Sequence, residues 1–271
     1  MLDACRQLDT GNWLLFLLVN LPPLSAPPSH RWRFSDFLFV WLAGLVTSLI
    51  GTVIGIAIGV GGSAEELTLE VPPELLFWIV LPTQFFGMLL ALAWVSQRRG
   101  SGKLTTDFGF SIRLQDAGFI LVGMLLLLAL AFALQPFAEL LGADETPQIT
   151  TEAIAGATDV ATRILIVLGV AVVTPIVEEL TFRGLLLRYL EERVTPRRAL
   201  LISAAIFGLF HLLGTTGTAG AVLALVQTFL AGLVLAYVTQ KSGKLSRAIF
   251  IHGGFNLVTI LILFFFPDLG V

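Results

Sequence analysis

The stretch Ala171–Arg188, AVVTPIVEELTFRGLLLR, decides how this chain is read. It sets two adjacent carboxylates, Glu178 and Glu179, and the guanidinium of Arg183 inside an apolar run long enough to cross a bilayer. Ionisable groups at that depth cost several kcal/mol each unless they are paired or face a wet cavity, so they mark a functional site by default. At ~100° per residue, Glu179 and Arg183 stand four apart on one helical face, acid before base, and can neutralise each other. Glu178 lies about a quarter turn away and is left to meet groups from other helices. Pro175, three residues earlier, removes a backbone donor and favours a kink that turns Glu178 toward a cavity. The competing reading is a pair of glutamates capping the cytoplasmic end of a helix.

The surrounding composition favours the membrane. Only 13% of the 271 residues are charged and the mean hydropathy is +0.91, against roughly 25% charged residues in soluble domains. The expected fold is an all-α, polytopic membrane helix bundle. Its net charge of −3 hides segregation along the chain and says little about partners. The single cysteine, Cys5, excludes an internal disulfide framework and a thiolate cluster, and nothing beside it suggests a catalytic thiol.

Seven apolar segments, at 37–62, 75–96, 117–141, 161–187, 199–213, 219–240 and 246–266, each read as a transmembrane helix, the fifth being the shortest. An N-terminal run, WLLFLLVNLPPL at 13–24, is broken by Asn20 and Pro22-Pro23. It reads as interfacial; a signal peptide is the alternative, but the preceding residues lack a clear positive region. His30 follows in a cytoplasmic loop as a solvated histidine. Gly51, Gly55 and Gly59 recur every four residues, which suits close helix packing within the bundle or, alternatively, dimerisation. Arg31 and Arg33, Arg98 to Arg113, Arg188 to Arg198, and Lys241 to Arg247 all fall on one side of this layout. The opposite loops hold Glu65, Glu66, Glu70 and Glu74, then Asp144, Glu145, Glu152 and Asp159, with Arg163 the exception. The positive-inside rule then puts the N-terminus in the cytoplasm and, after seven crossings, the C-terminus outside it. The chain divides into a cytoplasmic or interfacial segment (1–36), a three-helix part (37–141) and a four-helix core (159–266).

Two further motifs fall inside apolar helices. Phe207 and His211, in FGLFH, lie four apart on the fifth; His252 and Asn256, in HGGFN, lie four apart on the seventh. A single buried histidine is commonly a satisfied core residue. Glu178, His211, His252 and Asn256 together are harder to dismiss, because each buried polar group carries its own desolvation cost. One feature strains the grouping. His211 lies ~20 Å along its helix from Arg198, Glu178 ~15 Å from Arg188 and His252 ~8 Å from Arg247, so an upright bundle would set them at different depths.

EELTFR fits an EExxxR motif, FGLFH fits FxxxH and HGGFN fits HxxxN, in that order on membrane helices. Over residues 160 to 260 the chain resembles the CPBP (CAAX protease and bacteriocin-processing, or ABI) family of intramembrane proteases, which includes the type II CAAX prenyl endopeptidases. The resemblance implies that 159–266 is the catalytic core. It implies that Glu178 activates the attacking water with help from His211, and that His252 and Asn256 stabilise the oxyanion. Glu179, Arg183 and Phe207 become structural support. Such chemistry is sound in itself: a carboxylate in a low-dielectric pocket is a competent general base, and imidazole and amide N–H groups suit an oxyanion.

The expected function is an intramembrane endopeptidase acting on a peptide or protein that is membrane-associated or prenylated, with membrane lipids as the other partners and no nucleic acid. No cofactor is expected, since a compact HExxH arrangement is lacking; the alternative is zinc held by Glu178, His211 and His252. Two other classes stay open. Intramembrane Glu and His groups also build ion pathways in transporters, though no internal repeat is visible. A scaffold or immunity protein would keep the motifs only as packing.

Overall fold

The computed structural model describes residues 32–59, 72–142, 149–212 and 218–266; the interfacial run, Cys5, His30 and most of the acidic loops lie outside them. Among the described residues the secondary structure is helical throughout: α1 (Phe34–Ala57), α2 (Pro73–Arg99), α3 (Leu114–Leu141), α4 (Ile149–Gly156), α5 (Val160–Glu191), α6 (Pro196–Phe210), α7 (Thr218–Ser242) and α8 (Ser246–Phe265), with a single turn at Leu104–Asp107. Six of these, α1, α2, α3, α5, α7 and α8, are long and apolar enough to cross a membrane. The fifth expected segment is α6. Its 15 residues give it a length of ~22 Å, short of the ~30 Å hydrocarbon core. Pro196 sits in its first turn and His211 ends it.

Charge segregation along the sequence becomes one physical end of the bundle. Arg99 pairs with Asp36 at 2.8 Å, and Arg193 donates to the Trp32 carbonyl. Gln240 donates to the Pro196 carbonyl, Arg247 pairs with Asp116, and the Leu245 amide donates to the Gly109 carbonyl. These contacts gather the start of α1 and the α2–α3, α5–α6 and α7–α8 connections. At the other end Trp78 Nε1 donates to Thr162 Oγ1, joining α2 to α5. Asp159 N-caps α5 by accepting the Thr162 amide, and its hydrogen bonds to Thr162 hold its carboxyl below the ordinary value. Arg163, the exception to the charge pattern, donates to the Ala157 carbonyl and lies over the Phe264 ring at 5.0 Å. Neither of these two contacts is to a carboxylate.

Small residues set the closest approaches. A side chain at Gly51 or Gly55 would collide with Thr83 or Leu75, so two of the three regularly spaced glycines seat α1 against α2 within the bundle. Gly59 does not: it takes a positive φ of 76° just beyond the helix, with nothing near the position of a Cβ. Gly123 of α3 and Gly254 of α8 meet the same way against the carbonyls of Ile251 and Ile120. The main buried core lies toward the basic end, where Val177, Phe182, Leu185 and Leu186 of α5 pack against α1, α2 and α6.

Candidate active site

α5 is not a regular helix. It carries π turns at Gly169–Val173 and Leu180–Leu186, on either side of the short α-helical piece Thr174–Glu179. π turns inside α-helices are commonly found at functional sites. The first explains how Pro175 is accommodated. Proline has no amide hydrogen, so in the wider five-residue register the carbonyl of Val170 loses its donor. Asn256 Nδ2 supplies one from α8 at 2.7 Å. Gly253, next to His252, lets α8 approach closely, since a Cβ there would press on the Ala171 carbonyl. The HGGFN sequence thus holds α8 between α5 and α3, with Gly253 facing one and Gly254 the other.

That seating aims His252 at both glutamates. Its Nδ1 is 3.0 Å from Glu179 Oε1, and its Nε2 is 3.6 Å from Glu178 Oε2. From α6, His211 Nε2 comes within 4.0 Å of the same Glu178 oxygen. The upright-bundle expectation of different depths therefore does not hold. α6 runs antiparallel to α7 from the level of Gln240, and Ala204 touches Gly232 of α7, whose carbonyl accepts Arg183 Nη2 at 3.2 Å. Measured from that shared layer, His211 is only ~10 Å up α6 and Glu178 ~7.5 Å up α5.

The ring nitrogens can be assigned from their partners. A carbonyl only accepts, so His211 Nδ1 donates to the Phe207 carbonyl at 2.8 Å. An ionised Glu179 only accepts, so His252 Nδ1 donates to it. Both Nε2 atoms are left facing Glu178. Glu178 Oε2 is itself buried and bonded to no described protein group, an arrangement that costs free energy unless water or a substrate N–H meets it. Separations of 3.6 and 4.0 Å are too long for direct hydrogen bonds. The side chains of Glu178 and His211 are 16% and 26% exposed, whereas Glu179 and Arg183 are fully enclosed.

Glu179 and Arg183 pair at 3.0 Å, four apart as their spacing predicts. Arg183 also lies over the Phe207 ring at 4.3 Å, and Phe207 stands 4.3 Å from the His211 ring and 5.8 Å from His252. Phe207 is therefore the wall shared by the buried ion pair and both imidazoles. Asn256, one turn beyond His252 on α8, commits one of its amide hydrogens to Val170, and the other bonds to no described residue.

Some of the supporting residues did not stand out in the sequence. Phe182 packs edge-on against Phe37, Trp41, Phe207 and Phe210, tying α1 to the site. Gly184 admits Phe108, and Gly208 admits Leu225 and Phe229 of α7. The available signal was a glycine in or beside each motif: FRG, FGLFH and HGGFN. For the zinc alternative, no group of three His, Cys, Asp or Glu side chains among the described residues is placed to hold a metal ion.

The architecture and the site define a class: a polytopic all-α membrane protein with carboxylate and imidazole groups from three helices gathered inside its bundle. Residues 160–258 match the model of the Rce1-like family, described as type II CAAX prenyl endopeptidase Rce1-like. This is the stretch over which the three motifs carry the CPBP resemblance, and it supports an intramembrane endopeptidase of the CAAX type as the general class. No curated protein and no solved structure matches the chain.

Proposed function

We propose that the protein is an intramembrane endopeptidase in which Glu178 activates a water for attack on a peptide bond. The observation that carries this reading is that Glu178 Oε2, without a protein hydrogen bond, faces the Nε2 atoms of His211 and His252 within 4.0 Å. A water held between Glu178 and His211 gives up a proton to the carboxylate as it attacks the carbonyl. His252 differs from His211 in what lies behind it. The carboxylate of Glu179 at Nδ1 compensates the positive charge the ring takes on when Nε2 also carries a proton, the orienting role an acid plays behind a catalytic histidine. Nε2–H of His252 and the second amide hydrogen of Asn256 then serve as donors to the oxyanion. Glu178 returns its proton to the leaving amine. The substrate is a membrane-associated peptide, and a prenylated C-terminus is the substrate class in keeping with the family match.

The test is comparison of protein termini in cells carrying the wild-type protein or Glu178→Gln. A new C-terminus and its matching N-terminus present only with the wild type support the reading, and identical termini oppose it. The proposed chemistry needs no metal, while Glu178, His211 and His252 are residue types that zinc accepts. Metal analysis of the purified protein, with turnover measured after chelation, separates the two: unchanged turnover is expected, and loss restored by zinc would transfer the site to a metal mechanism.

A further inference from the structure

At the basic end of the bundle, away from the glutamates, the structure forms a second polar hollow of about 220 Å³ where the end of α7, the α7–α8 turn and the approach to α3 meet. Arg113, Lys241, Lys244 and Arg247 line it together with Ser242 and Ser246. Asp116 is its one acid, and it is occupied by Arg247 at 3.3 Å. Arg113, Lys241 and Lys244 are exposed and form no ion pair with a described residue. The wall is held in shape rather than loosely assembled. Ser246 Oγ accepts the Arg113 amide, and Ser242 Oγ bonds both the amide and the carbonyl of Lys244. Gly243 turns the chain between them at a φ of 65°.

We infer that this hollow binds the phosphate-bearing headgroup of an anionic lipid. Its charge calls for an anion, and its volume is below that of drug-sized ligand pockets, ~300 Å³ and upward, and suits a phosphate-sized group. Its position favours a lipid over a free phosphate. The ends of three helices long enough to span the membrane meet here, which sets the hollow at the headgroup level, where basic pockets between helices take anionic lipids. Directly beside Arg113, Ile112 and Leu114 expose their side chains, and Leu121 continues that apolar surface one turn or more up α3. Arg247 lies over the Phe119 ring and Lys241 over Tyr237, so cationic heads stand on aromatic supports at the boundary. An acyl chain can thus lie along α3 while its phosphate is held by the cations.

The experiment uses the full chain purified in detergent micelles containing phosphatidylglycerol, phosphatidylcholine or inorganic phosphate, read by native mass spectrometry and thermal unfolding. The wild type should retain phosphatidylglycerol and not phosphatidylcholine. Lys241→Gln with Lys244→Gln should lower retention about 10-fold or more, with an unchanged unfolding midpoint in neutral micelles. Arg113→Gln, a separate variant on another element, should lower it in the same direction. Retention by both variants at the wild-type level overturns the assignment, as does equal retention of the two lipids. If inorganic phosphate alone raises the unfolding midpoint as much as phosphatidylglycerol does, the hollow takes a soluble anion and the headgroup assignment fails.

Discussion

Glu179 Oε1 meets two groups at once, Arg183 Nη1 and His252 Nδ1, each at 3.0 Å. Spacing along α5 foretold the first contact and gave no hint of the second. The buried carboxylate therefore links the fold to the proposed chemistry, and the neighbouring residues should separate under mutation. Arg183→Ala leaves Glu179 enclosed without its cation and should cost roughly 3–5 kcal/mol in an unfolding experiment; normal stability with lost turnover would move Arg183 into the chemistry. Glu178→Gln should behave in the opposite way. Because Glu178 Oε2 has no protein partner to lose, neutralising it should leave stability unchanged or higher while turnover falls by about 10²-fold or more. A large loss of stability in that variant would make Glu178 a structural residue.

At the scale of elements, the site depends on how α8 is seated. Gly254→Val drives a side chain into the Ile120 carbonyl and should cost about 1–3 kcal/mol through forced separation of α3 and α8, visible as a lowered unfolding midpoint. Asn256→Leu leaves the Val170 carbonyl unpaired and should cost a similar ~1–3 kcal/mol. If that variant lost turnover with its stability intact, Asn256 would act on the substrate alone. Hydropathy located every long apolar helix, and a four-residue spacing identified the Glu179–Arg183 pair and the seats of Gly51 and Gly55. Periodicity could not show the π turns of α5: the first arises where Pro175 and packing against α8 override the regular ladder, and the second lies where α5 packs on α1, α6 and α7. For the same reason the bond from Asn256 to Val170, 86 positions apart, had no local signature. Distances along single helices also misjudged depth: His211 looked too far from Arg198, and only the antiparallel pairing of α6 with α7 brings it level with Glu178.

For the whole molecule, the contacts that join all four basic segments at one end agree with the charge asymmetry of the loops. We propose that this end is cytoplasmic and that the C-terminus lies on the other side, a layout that counts the segment containing α6 as a crossing. Reporter fusions after Val271 and within 97–116 should then report opposite sides, and the same side for both would contradict the layout. The central claim is that Glu178, His211 and His252 form one hydrolytic centre. Its most direct test is the turnover of a peptide spanning a terminus found in the cellular comparison, by wild type and Glu178→Gln purified and reconstituted in the same bilayer. The account predicts hydrolysis by the wild type and a rate at least about 10² lower in a variant with the same unfolding midpoint; cleavage at the wild-type rate by the variant would contradict it.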